Sequence, residues 1–104
     1  MITETSLWEV LVPCMMNGHP TRTAHHKEWD KVVRKISGGL TIAAPSKGSW
    51  EDPETHIIHE ERVIPVKIAC DDADIMKILE FTKRHYNQIA IFAYKISKRV
   101  IIYK

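Results

Sequence analysis

Cysteine is scarce: Cys14 and Cys70 are the only two in 104 residues, far short of a disulfide framework. Glycine is scarce as well, at four residues, and no glycine-rich loop able to cradle a phosphate is present. No apolar run approaches the ~20 residues a membrane-spanning helix needs. The opening residues Met1-Ile2-Thr3-Glu4-Thr5 lack the basic start and apolar stretch of a secretion signal, so a reducing cytoplasm is the expected location. Charge of one sign is lacking too. Fifteen Lys and Arg stand against thirteen Asp and Glu, a formal +2, whereas a dedicated nucleic-acid binder shows a strong basic excess. No repeat, linker or low-complexity segment divides the chain, and a single domain over 1–104 is expected.

The composition is that of a globular protein, 44% hydrophobic and 27% charged. Disorder is expected only at the first few residues. Leu7–Val12 is a short apolar run closed by Pro13, which predicts a buried strand. A loop from Cys14 to Ala24 follows, punctuated by Gly18 and Pro20. Trp29, Val32, Val33 and Ile36 then recur at helical spacing, with Thr23 as the expected N-cap and Gly38-Gly39 as the stop. Leu40–Ala44 predicts a second strand and Thr55–Ala69 a third, after a turn at Glu51–Glu54. Asp71 or Asp72 is suited to cap a second helix whose buried stripe is Ile75, Ile78, Leu79, Thr82 and Tyr86. Ile89–Ile96 is the expected fourth strand, turned by Ser97-Lys98-Arg99 into a short edge segment, Val100–Tyr103.

The order strand, helix, strand, strand, helix, strand implies the ferredoxin-like βαββαβ fold, a four-stranded antiparallel sheet with two helices on one face. Pro65 opposes this, since proline removes a ladder hydrogen bond from a strand that should be central; a bulge there would remove the conflict. In this topology the loop after strand one, the strand two–three hairpin and the end of helix two share one pole. Five of the six histidines (His19, His25, His26, His56 and His59) lie in that loop and hairpin, with His85 beside them. Cys14 falls at the same pole and Cys70 at the other, so both are expected to be free thiols.

Gly39-Leu40-Thr41, Gly48-Ser49-Trp50, Glu61 and Tyr86-Asn87-Gln88, together with Trp29, resemble the marked positions of a family of small, uncharacterised bacterial α+β proteins. The resemblance spans Trp29 to Gln88 and implies which residues matter, but no reaction. Its members often carry a lipoprotein signal, which this chain lacks.

Three constellations follow. His19, Arg22, His25, His26 and Lys27 surround the start of helix one, whose free amides favour an anion, with no acid between Asn17 and Glu28. Trp50, on a hairpin arm, is either a stacking platform, a dimer anchor or a cap on the core. His59 shares a strand face with Glu61, as an acid–base pair would. Cys14, near His19 or His25, is the one candidate nucleophile. Neither His25 with His26 nor His56 with His59 has the i, i+4 spacing of a helical metal site, so no metal and no cofactor are expected.

The leading reading is a homo-oligomeric binding module for a small anionic, nucleotide-like ligand. His19, Arg22, His25, His26, Thr41, Trp50, Glu61 and Gln88 are its expected contacts, and the uncovered sheet face is its expected subunit interface. The alternative is a small metal-free hydrolase, lyase or isomerase using His59 or His26 with Glu61. A purely structural domain would have no pocket at this pole.

Overall fold

The computed structural model describes residues 1–104. Its elements are β1 (Ile2–Pro13), β2 (Met15–Met16), β3 (His19–Pro20), α1 (Thr23–Ser37), β4 (Thr41–Ile42), β5 (Ser46–Glu51), β6 (Ile58–Cys70), α2 (Asp72–His85) and β7 (Ala93–Tyr103). The sheet runs β4-β6-β1-β7, with β5 continuing beside β6 beyond β4, and every pairing is antiparallel. This is the ferredoxin-like βαββαβ arrangement.

Side-chain alternation along the central strands decides the two faces. Val10 and Val12 of β1 and Val66, Ile68 and Cys70 of β6 point to the helices. There they meet Trp29 and Val33 of α1 and Ile75 and Ile78 of α2 in one buried core. The intervening residues, Leu11 and Val63 among them, face away from the helices.

β4 and β5 are one strand of the topology, broken by a bulge. Ile42 pairs with Val66 and Ser46 with Val63, so three residues, Ala43 to Pro45, oppose two on β6. Pro65 sits opposite this bulge. On its other side it pairs with Leu11, whose amide is directed to Phe92 on the far edge. The missing donor of Pro65 thus points to the one stretch where the ladder is already interrupted, and its carbonyl still accepts from the Ala43 amide at 2.9 Å.

β7 is likewise continuous where a turn is expected. Register shifts opposite Ser6 and between Leu7 and Trp8 absorb extra residues, and the Ser97 hydroxyl bridges the Arg99 backbone. Val100–Tyr103 therefore stays on the edge as the end of the same strand. Ile89–Phe92 is not strand, and the first residues are not frayed, because Ile2–Thr5 pair with Val100–Tyr103.

The helix ends follow local chemistry. The Asp71 side chain accepts from the Asp74 amide at 2.7 Å, closing the α2 N-terminus. Arg22, not Thr23, is the extended residue before α1, and no side chain caps it. Gly38 takes φ 89° and its amide bonds to the Arg34 carbonyl, an αL stop. At the other end of α2, Asn87 takes φ 51°, with Gln88 N bonded to Lys83 O and Asn87 N to Arg84 O. That is a Schellman motif with asparagine in the glycine position.

Both cysteines are free, Cys70 buried and Cys14 partly so. Burial, then the carboxylates of Asp74, Asp71 and Asp72, push the Cys70 thiol up to about 11. Its contribution to stability is therefore complete below about pH 9 and is lost as pH rises towards 11. Native protein treated with iodoacetamide at pH 8 is expected to leave Cys70 unlabelled until denaturant is added, as read by peptide mass spectrometry. Labelling of Cys70 as fast as that of an unstructured thiol would contradict this burial.

Candidate functional site

The pole where β1 ends, β5 meets β6 and α2 ends carries two groups of residues on opposite faces of the sheet. On the face away from the helices, β1, β5, β6 and the segment before β7 enclose a cavity of about 140 Å³. Leu11 and Val63 form its floor, Trp50 and Phe92 its aromatic wall, and Glu61 its one carboxylate. A Cβ at Gly48 would stand 3.7 Å from both Val63 methyl groups, so glycine leaves this space open. Trp50 pairs with His59 across the β5–β6 ladder, and their rings stack with centroids 4.6 Å apart at 17°. Phe92 meets Trp50 at 5.4 Å and 59°. Gln88 and Glu60 border an adjoining groove that Trp50, His59 and Glu61 share. Trp50 is thus neither a core residue nor a cap on the core; it is the wall of a surface pocket.

On the helix face, His25 and His26 of α1 meet His85 and Tyr86 at the end of α2. The rings of His25 and His85 stack at 3.7 Å, and Phe81 lies against His85 at 5.0 Å. The Tyr86 hydroxyl lies 2.7 Å from His26 Nδ1. Burial first, then the neighbouring His25 and His85, lower the proton affinity of His26, so the ring accepts from the tyrosine hydroxyl. Tyr86 is fully buried, and burial followed by nearby Cys14 holds its hydroxyl protonated. Cys14 is not an activated nucleophile: burial, the largest influence, raises its thiol, outweighing Arg62.

The residues expected to act together are therefore divided. Trp50, His59, Glu61 and Gln88 are brought together. His25 and His26 are held behind the sheet, so His26 does not pair with Glu61. His19, Arg22 and His25 line a separate shallow groove beside the β2–β3 hairpin. Thr41 is remote: it pairs with Lys67, eight residues along β6 from His59, or about 27 Å of strand. His56 is on the hairpin tip, 3.8 Å from Glu51.

Phe92 was not expected in the pocket, because Ile89–Phe92 read as strand. Glu28 was also missed. One ligand atom from each of His25, Glu28 and His85 lies within 4.8 Å of the others. Only His25 and Glu28, three apart on one helix, carried a signal for this group in the sequence.

No family model matches this chain, and no curated protein sequence does. Solved structures match it in fold. A phage SAM lyase in complex with S-methyl-5′-thioadenosine gives a TM-score of 0.65 at 11% identity, covering 96% of this chain and 90% of that one. The periplasmic divalent cation tolerance protein CutA of Archaeoglobus fulgidus gives 0.61 at 9% identity, covering 90% and 82%. The GlnK–ATP complex of B. subtilis gives 0.50 at 18% identity, covering 88% and 84%. The shared property is the fold. One fold of this kind hosts unrelated functions, so the site must carry the functional argument.

No helix is long and apolar enough to cross a membrane.

Proposed function

We propose that this chain is a homo-oligomeric binding module for a small nucleotide-like ligand, whose ring enters the cavity walled by Trp50 and Phe92. The observation that carries the reading is a concave apolar pocket with two aromatic rings and a single carboxylate, the composition expected of a small-molecule site. Trp50 offers a stacking face, and Glu61 accepts a hydrogen bond from a ring amine. Gly48, Trp50 and Glu61, three of the positions shared with the resembled family, line the same cavity. An exocyclic amine is the donor an adenine ring presents. Two proteins of similar fold are complexes with adenosine-containing compounds, S-methyl-5′-thioadenosine and ATP. The anionic part of the ligand lies outward over His59, since the Gln88 amide donates to the Met15 and Tyr86 carbonyls; the α1 groove with His19 and Arg22 faces elsewhere.

The cavity opens on the uncovered sheet face, where Phe92, Tyr94 and Ile102 are exposed. A second copy of the chain laid on this face would bury them and roof the pocket. The two free thiols agree with a reducing, cytoplasmic setting.

Calorimetric titration with adenosine, ATP and S-methyl-5′-thioadenosine tests this reading. Saturable binding is expected for at least one of them, with inosine analogues weaker because their ring carbonyl faces the Glu61 carboxylate. Glu61→Gln is expected to remove that preference. Equal binding of the adenosine and inosine forms, or no saturation with any, would overturn it. A product that forms with the native chain and not with Glu61→Gln would establish the metal-free enzyme instead.

A further inference from the structure

The cavity walled by Trp50 and Phe92 holds about 140 Å³, against roughly 300–1,000 Å³ for a pocket that encloses a whole drug-sized ligand. One ring system fills it, so the sugar and its 5′ substituent lie in the adjoining groove. The charges of that groove decide which adenosine compounds enter.

No lysine or arginine lines the cavity or the groove, and His59 is the one basic side chain in either. Glu61 belongs to both. The β5–β6 hairpin, Ser46–Val63, carries five carboxylates against two full cations, although the whole chain is formally +2. Neither cation serves the site. Lys47 stands opposite Arg62, one step from the Gly48–Glu61 pair, so alternation sends both to the other face of the ladder. There Lys47 Nζ lies 3.5 Å from Glu60 Oε2. Lys83 of α2 lines a separate groove with Met76 and Ile91.

We propose, on the ring-binding reading, that this site takes adenine nucleosides with at most one anionic group and rejects nucleoside polyphosphates. Polyphosphates are held by Arg or Lys, by helix N-termini or by nests of backbone amides. None of these faces the groove, and the uncapped start of α1 lies on the helix side of the sheet. His59 meets a single anionic group through one ring N–H. The Gln88 amide is committed to the Tyr86 and Met15 carbonyls, at 3.0 and 3.4 Å. Its free oxygen accepts from a ribose hydroxyl and opposes a phosphate oxygen, which has no proton to give. Ile89 and Ala90 add apolar surface suited to an uncharged 5′ substituent. A triphosphate would bring several negative charges beside Glu61 with no cation to offset them.

The test is calorimetric titration of the full chain with adenosine, 5′-deoxyadenosine, AMP and ATP, each at low and at high NaCl. Adenosine and 5′-deoxyadenosine are expected to bind at least about 10-fold more tightly than ATP, with AMP between them. ATP affinity is expected to rise with salt, because screening weakens a repulsion. Ile89→Lys places a cation at an exposed position of the groove and is expected to raise ATP affinity several-fold relative to adenosine. ATP binding as tightly as adenosine, or more weakly as salt is raised, would overturn the selection against polyphosphates and leave the ring-binding reading standing. Saturation by none of the four compounds would overturn both.

Discussion

Trp29→Ala is expected to cost about 3–5 kcal/mol of folding stability, a large part of the 5–15 kcal/mol that holds a domain of this size together. Trp29 is only 2% exposed and packs in the core with Val33 and Tyr86. Its indole Nε1–H donates to the Thr82 hydroxyl at 2.8 Å, and that hydroxyl donates in turn to the Ile78 carbonyl at 2.6 Å. Alanine thus leaves a cavity between the helices and strips an acceptor role from a buried hydroxyl. Thr82→Val makes the complementary change with little loss of volume. It orphans the indole N–H, and a cost of about 1–3 kcal/mol is expected. Urea unfolding followed by far-ultraviolet circular dichroism measures both. A loss below about 1 kcal/mol for Trp29→Ala would contradict its burial between the two helices.

Trp50→Ala is expected to act on binding and to leave the fold nearly intact. Trp50 stands on the β5 arm, half-exposed, with His59 and Phe92 as its partners and no place in the core. Loss of one base–aromatic stack is worth about 1–3 kcal/mol, which corresponds to an affinity lower by roughly 5- to 150-fold for an adenine-bearing ligand. Stability should fall by well under the cost at Trp29, because little buried surface is removed. Titration of the same adenosine compounds into native and variant protein reads the first quantity, and urea unfolding the second. Native-like affinity in a folded Trp50→Ala protein would remove the aromatic wall from the binding argument. A change in sedimentation alone would assign Trp50 to the subunit interface.

The helical stripes and their ends were legible because they rest on local chemistry. The spacing of Trp29, Val33 and Ile36 marks α1, and Gly38 ends it in the one conformation that favours glycine. Asp71 caps α2 as its side chain suggests. Asn17-Gly18 also carried a local signal, that of a two-residue hairpin with both residues at positive φ, although the segment reads as a loop when judged by its few apolar residues. The same hairpin is tied to the α2 cap, where Asn87 Nδ2 donates to Asn17 Oδ1 at 2.8 Å.

Strand boundaries were less legible, for a physical reason. A bulge adds a residue without changing composition, so Ala43–Pro45 and Ser97–Arg99 look like breaks although the sheet continues through both. The conflict at Pro65 illustrates the point. Its residue type forbids a full ladder, and only the partner strand decides that the ladder is already interrupted there.

By itself the sequence determined the order of the main strands and helices, the buried faces of the two helices, the Asp71 cap and Gly38 stop, and the pole at which the histidines gather. All of these follow from periodicity, glycine and proline stereochemistry and strand direction. The tertiary structure alone decided how that pole is divided. Sheet alternation sends Trp50 and Glu61 to one face, while the docking of α1 on α2 stacks His25 on His85, sixty residues apart in the chain. Such contacts depend on register and helix packing, which no local pattern encodes, so two histidines far apart in the chain become a pair only when the helices meet.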